Sequence, residues 1–416
     1  MMTWCKGART ACVAAMVLSL WPGLAQASNP GDPYAAGPHP AGPVQEGFYS
    51  VAPAELPGRA GTLIRAEPVA PPPGASVAYR IIYRSRSDAG RPVAVSGVIA
   101  AGPQESRAPR PVVSWGHGTT GIAPGCAPSL MPQHDFRSIS GLQQLLADGY
   151  VVVATDYQGL GEGSVHPYLD GRSAAHAMID AVRAARALPG LHAGSRYATW
   201  GFSEGGQASL FAGQVARSYA PELRLEGVAA VSAPTQLRRL LASDIGTPAG
   251  DVVASFAAWS WSRSYGLPLG EVVRPEAVPT VARIATLCSI GLPERLALGL
   301  AALTYGQTGF LQPGAAHRAD WGRVIAMNSA QPRRGVPVFL AQGEGDALVA
   351  PAATRDFARQ LCRDGVKLDY REVPFASHGD AATASASAAT DWLAARLSGA
   401  RPISDCATLA ARERSR

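Results

Sequence analysis

Strand-like and helix-like segments alternate along most of this chain, and that alternation limits the folds open to it. Short apolar runs at 111–115, 150–155, 196–200, 225–232, 336–341 and 368–373 read as strands. Helical spacing predicts helices over 138–147, 173–188, 204–219, 352–363 and 381–397. Parallel strands need a long crossover connection, and strands without polar alternation are covered on both faces. The expected architecture is α/β, a mostly parallel sheet with helices on both faces. Two further runs, 77–84 and 93–100, flank a turn at Asp88-Ala89-Gly90 and read as a hairpin.

The rhythm breaks after Pro234. Residues 235–334 hold Ala- and Leu-rich pieces cut by Pro and Gly, with no clear strand. The strands then resume in step, so this block is expected to be a helical cap inserted over one edge of the sheet. A chain of 416 residues can carry one large domain with such an insertion. With 47% hydrophobic and 16% charged residues it fits a globular enzyme, not a disordered or coiled-coil chain. The expected division is a first sheet part at 47–234, the cap at 235–334, a second sheet part at 335–400 and a tail at 401–416.

The first residues read as an address, not as structure. Lys6 and Arg9 precede an apolar run from Ala11 to Trp21, and Ala25-Gln26-Ala27 offers a small-x-small cleavage site. This is the layout of a signal peptide, 1–27, cut after Ala27. The apolar run is too short to span a bilayer, and Ser28 stands where a lipid anchor would need Cys. Residues 28–46 are rich in Pro, Gly and Ala and read as a flexible leader. Export to the periplasm or the medium is the expectation.

Cleavage would lower the formal net charge of +6 by the two charges of Lys6 and Arg9. What remains is mild and scattered, without a basic cluster interleaved with aromatics, so no nucleic-acid partner is expected. It would also remove Cys5 and Cys12, leaving Cys126, Cys288, Cys362 and Cys406. An even count in an exported chain favours two disulfides. Spacing leaves three pairings open. With no CxxC pair or neighbouring His, no metal site is expected, and no organic cofactor is implied.

The chemistry centres on Gly201-Phe202-Ser203-Glu204-Gly205-Gly206, where a strand ends and a helix begins. A Ser in that tight turn is strained and exposed, and the helix N-terminus aims N–H groups at an anion formed beside it. Glycines keep side chains out of the crowded turn. A bystander Ser in a structural turn is the bland alternative. The hydroxyl needs a base, and the base an orienting acid. His378, in Ser377-His378-Gly379 after the last strand, is the expected base. His317 lies in the inserted block, and the other six histidines precede Ser203. Asp346, ending Gln342-Gly343-Glu344-Gly345-Asp346, is the expected acid, with Glu344 its rival. An oxyanion needs two donors. The N–H of Glu204 is one candidate. Thr119 or Thr120, in the loop Gly116-His117-Gly118-Thr119-Thr120-Gly121, is the other. Asp156 and Tyr157 either brace that loop or form an ordinary loop corner.

Taken with Gly47-Phe48-Tyr49, Cys126-Ala127-Pro128-Ser129, Asp156 to Gly161, His166-Pro167-Tyr168 and Tyr219 to Leu223, the sequence resembles the secretory lipase family of α/β-hydrolases, known from fungal lipase A enzymes. The resemblance runs from about 47 to 400. It implies lipase or carboxylesterase activity, a helical cap between the sixth and seventh strands, and disulfides Cys126–Cys288 and Cys362–Cys406. Glu204 departs from it: such elbows commonly hold Gln or Gly there, and a carboxylate beside an oxyanion is unfavourable unless it turns away.

The expected function is hydrolysis of carboxylic esters by Ser203, His378 and Asp346 through an acyl-enzyme. Its partner is an ester or lipid substrate, met transiently at lipid surfaces, with no obligate protein partner. Rival readings are a serine peptidase or acyltransferase on the same scaffold, and a binding protein without catalysis. The absence of a long propeller-like N-terminal region weighs against the peptidase, and a complete triad in the fold's chain order weighs against the binder. The cap, with Trp259 and Trp261, is expected to set acyl-chain preference, either as a static wall or as a moving lid.

Overall fold

The computed structural model describes residues 47–103, 108–131, 136–306, 309–331 and 334–414. The expected signal peptide and leader lie outside the described residues. Successive side chains of a strand face opposite ways, and the valines at 151–153 use that alternation to fill both faces of one sheet. Val151 and Val153 join one apolar cluster, and Val152 and Ala154 join the other.

Among the described residues the sheet has nine strands: β1 (Leu63–Pro68), β2 (Val77–Arg86), β3 (Pro92–Ala101), β4 (Arg110–Gly116), β5 (Val151–Thr155), β6 (Ala193–Phe202), β7 (Arg224–Val231), β8 (Val338–Gly343) and β9 (Leu368–Val373). Their spatial order is β1-β2-β3-β5-β4-β6-β7-β8-β9. Pairings from β1 to β5 are antiparallel, and those from β5 through β4 to β9 are parallel. The hairpin is β2 with β3, in unbroken register. Strand β1 has no counterpart among the sequence expectations. It is an edge strand ending in Pro68, and its mixed Leu-Ile-Arg-Ala-Glu-Pro carries neither a clean alternation nor a continuous apolar run.

Helices α2 (Gly171–Ala187), α3 (Glu204–Tyr219) and α9 (Pro351–Arg363) pack into one face; α1 (Leu142–Ala147) and α11 (Ala386–Leu397) cover the other. Two expected helices differ in extent. The segment expected over 138–147 becomes helical only from Leu142, because Gly141 adopts a left-handed φ of 76°. A Cβ there would fall 2.6 Å from Thr390 Cγ2. The segment expected over 381–397 begins at His378 and divides into α10 (His378–Ala384) and α11. At the break, the Ser385 hydroxyl donates to the Ala381 carbonyl at 2.6 Å.

Between β7 and β8 lie α4 (Leu237–Asp244), α5 (Pro248–Ser264), α6 (Val278–Ile284), α7 (Leu292–Leu303) and α8 (Ala319–Met327). They share an apolar core of their own, with Phe256, Trp261, Ile284, Leu298 and Trp321. That places the block between the seventh and eighth strands, where the resemblance implies the sixth and seventh; the extra strand β1 shifts the count by one. Disulfide Cys126–Cys288 ties the loop after β4 to this block, and Cys362–Cys406 joins α9 to α12 (Cys406–Arg414). The segment 401–416, expected as a tail, thus carries a helix over its described part.

Candidate active site

The strand order places the chemistry. Parallel strands β4, β6, β7 and β8 all deliver their C-terminal ends to one edge, and the loops that leave them meet there. Ser203 follows β6 directly and starts α3, with φ 53° and ψ −118°. A non-glycine residue in that region is strained and persists only where its surroundings hold it. Here the Ser203 N–H donates to the Val231 carbonyl at 2.8 Å, and the Gln207 N–H donates to Ser203 O at 3.0 Å. The flanking glycines are a packing requirement. A Cβ on Gly205 would stand 1.9 Å from Gly116 O, and one on Gly201 would stand 2.0 Å from Gly205 O.

The three residues expected to act together meet here. His378 Nε2 lies 3.0 Å from Ser203 Oγ, and His378 Nδ1 lies 2.8 Å from Asp346 Oδ2. All three are buried. Asp346 also accepts from the Leu348 and Val349 N–H groups at 3.0 and 2.8 Å and from Gln342 Nε2 at 2.8 Å. Burial alone would raise its pKa, but the charge and hydrogen bond of the neighbouring His378, helped by the Val349 N–H, outweigh burial and hold it below the ordinary carboxylate value. An ionised Asp346 can only accept, so the proton of a neutral imidazole sits on Nδ1. Nε2 is then free to accept from the Ser203 hydroxyl. The rival acid Glu344 is exposed.

The loop after β4 lies beside Ser203. A Cβ on Gly118 would fall 2.7 Å from the Phe202 ring and 3.5 Å from Ser203 Cβ. Thr119 lines the same cavity as Ser203 and His378, and its Oγ1 lies 2.8 Å from the Tyr168 hydroxyl. Thr120 does not line that cavity; its carbonyl accepts from the Ser289 N–H at 2.8 Å. Of the two threonines, Thr119 is the one that lines the cavity beside Ser203. The Glu204 side chain is buried and reaches His166, with Oε1 3.2 Å from Nε2.

Asp156 and Tyr157 brace the loop. The Tyr157 hydroxyl donates to the His117 carbonyl at 3.0 Å, and Tyr157 itself takes a left-handed φ of 70°. Asp156 accepts from Ser96 Oγ at 2.6 Å and from the N–H and hydroxyl of Ser129. Burial raises the Asp156 pKa against these hydrogen bonds. The serines carried no usable sequence signal, because their partner lies 60 residues away from Ser96 and 27 from Ser129.

Above Ser203 opens a cavity of about 230 Å³. The helical block supplies much of its apolar wall through Leu237, Leu241, Val252, Phe256, Ala257 and Trp261. Trp259, singled out with Trp261 from the sequence, does not line it; the Arg263 guanidinium lies over its ring. Asp244 lines the cavity, and nothing in the sequence pointed to it. Burial, opposed by a hydrogen bond from Ser243, pushes its carboxyl up to about 6, with Asp346 adding to the rise and His378 opposing it. Among the described residues no group of three or more His, Cys, Asp or Glu could hold a metal, and no helix is long and apolar enough to cross a membrane.

A mostly parallel sheet, a nucleophile-like Ser in a strand-to-helix turn and a helical block before the last two strands define an α/β-hydrolase. The solved structure of Candida antarctica lipase A in its closed state has the same fold: TM-score 0.70 at 18% identity, over 89% of this chain and 94% of that one. The sequence profile of the secretory lipase family matches residues 111–262 and 323–405, more than half of the chain, which therefore belongs to that family. A protein named Lipase A from Arthroderma benhamiae is 25% identical over 398 residues, 89% of this chain and 82% of the relative. A protein of Mycobacterium tuberculosis described as a probable inactive lipase is 23% identical over 360 residues, 79% of this chain and 75% of the relative. The chain is a carboxylic ester hydrolase.

Proposed function

We propose that the chain hydrolyses apolar acyl esters after export, with Ser203 as nucleophile, His378 as general base and acid, and Asp346 as the orienting acid. The observation that carries this reading is the unbroken path from Ser203 Oγ to His378 (3.0 Å) to Asp346 (2.8 Å) at an apolar cavity. Ser203 Oγ attacks the ester carbonyl as His378 takes its proton. The negative oxygen that forms is met by the N–H groups of Glu204 and Thr119. His378 then protonates the leaving alcohol, and water repeats the sequence to free the acid.

The acyl group lies against the helical block, which makes the block a cap over the site. Each buried CH2 gains about 0.8 kcal/mol, so an apolar wall favours medium and long acyl chains over acetate. Two disulfides accord with an oxidising compartment, and cleavage after Ala27 would deliver the chain there.

Hydrolysis of a nitrophenyl ester series, measured beside emulsified triglyceride with a peptide amide as control, tests substrate class. Ser203→Ala should abolish ester hydrolysis while the circular dichroism stays unchanged, and a fluorophosphonate should label Ser203. Full activity in Ser203→Ala would remove this reading.

A further inference from the structure

Glu204 stands where an acid is least welcome. It follows Ser203 directly, its backbone N–H is a proposed oxyanion donor, and its side chain is 2% exposed. A lone buried carboxylate there would oppose a second negative charge forming nearby. The carboxylate is met by His166, whose Nε2 lies 3.2 Å from Glu204 Oε1. The other ring nitrogen, Nδ1, lies 2.8 Å from the Gln158 carbonyl. A carbonyl can only accept, so Nδ1 carries a proton. Contact between Nε2 and Oε1 requires a second proton between them. The two side chains together therefore hold both protons and carry no net charge.

Glu204 Oε2 is buried without a hydrogen-bond partner among the described residues. The rings of Tyr157 and Tyr168 lie 6.2 and 6.1 Å from the His166 ring, on a segment that also reaches Thr119 through the Tyr168 hydroxyl. Ser260 and Trp261 of α5 hold that segment: Ser260 Oγ donates to His166 O at 2.6 Å, and Trp261 Nε1 donates to Tyr168 O at 2.8 Å. One short stretch, 166–168, thus touches the residues of both proposed oxyanion donors.

We propose that His166 is a positioning residue that neutralises Glu204 and so makes an acidic residue tolerable next to the nucleophile. The proposal rests on the reading of Ser203 as nucleophile. It predicts a rescue that a purely structural role does not. His166→Phe removes both protons and should lower kcat on a soluble nitrophenyl ester by about 10- to 100-fold, below the cost of losing an oxyanion donor outright, with KM little changed. Glu204→Gln, whose amide can donate to a neutral His166, is the reference for the pair, and its kcat should exceed that of His166→Phe. The double variant should recover most of the kcat lost in His166→Phe. His166→Gln keeps a hydrogen bond but no neutralising proton; it should be slow and rescued in the same way, and it carries the test if the Phe variant does not fold. Undiminished kcat in the His166 variants, or a double variant as slow as the single, would overturn the proposal. Activity surviving in Ser203→Ala would instead overturn the reading of the site beneath it.

Discussion

The sheet and the helical block build one cavity in different ways. The sheet contributes the proposed reactive groups from the ends of β6 and β8 and from the N-terminus of α10, where extended backbone and tight turns fix each side chain. The block contributes walls, from short helices whose own core includes Phe256 and Trp261. Chemistry at the strand ends tolerates little displacement, since misplacement of about 1 Å can cost 100-fold in rate. Walls need only shape and apolarity. Changes on the sheet side should therefore act on rate for every substrate, and changes in the block on choice among substrates.

The largest effect should fall on the sheet side. Asp346→Asn keeps the shape but lets the residue donate to His378, favouring the wrong tautomer, and should lower kcat about 10,000-fold. Glu344→Gln, at the exposed rival position, should leave kcat unchanged. Steady-state kinetics on one nitrophenyl ester checks both. A large loss in Glu344→Gln with activity kept in Asp346→Asn would reverse the assignment of the acid.

Next comes the seam between the two regions. Cys126–Cys288 ties the loop after β4 to the block, 162 residues apart in sequence, whereas Cys362–Cys406 lies on the sheet side. Replacing either pair by Ser should cost about 2–5 kcal/mol of stability. Loss of the first should also lower kcat, because Ser289, next to Cys288, donates through its hydroxyl to Thr119 O at 2.7 Å. Denaturant unfolding and kinetics on the two double variants separate these effects. Equal kcat in both would show that the seam does not steady the oxyanion side.

The same contrast explains what the sequence made legible. The Ser203, Asp346 and His378 positions, which lie within hydrogen-bond reach of one another, could be picked out because the proposed chemistry demands particular residue types at particular strand ends, in a set chain order. The parallel core was legible because its runs are apolar throughout. Strand β1 was not, since an edge strand with no buried residue and with Arg65 and Glu67 along it looks like a loop. The Glu204–His166 contact spans 38 residues and the Asp156–Ser96 contact 60, and side chains that distant leave no local pattern. Within the block, apolar spacing marked helices but could not show that Trp261, and not Trp259, faces the cavity.

On the block side, Ala257 is buried and lines the cavity. Ala257→Leu adds three carbons to the wall, displacing about as much acyl chain, at about 0.8 kcal/mol for each CH2 lost. The kcat/KM ratio of octanoate to butyrate should fall by roughly 60-fold, with butyrate itself little changed. Ratios measured across the nitrophenyl ester series test this. An unchanged ratio would mean that the acyl chain does not lie against α5.

The smallest effect concerns Asp244, the carboxylate of α4 that lines the same cavity as Ser203 and His378. Burial raises its pKa from 3.8 to about 6 despite the Ser243 hydrogen bond, with Asp346 reinforcing the shift and His378 opposing it. A raised carboxyl pKa means that folding favours the protonated form. Any stability Asp244 contributes is present below pH 3.8 and is lost as pH rises to about 6, where the ionised group is held in the fold at a cost. Asp244→Asn removes that cost. Discounted for partial exposure, the gain should be about 1–2 kcal/mol above pH 6 and near zero below pH 4. Denaturant melts of parent and variant at pH 4 and pH 7 read it directly. A gain equal at the two pH values would trace to packing of the amide and not to the charge, and the block would then contribute walls alone. A gain confined to pH 7 would mean that the block also sets part of the electrostatic field in which His378 works.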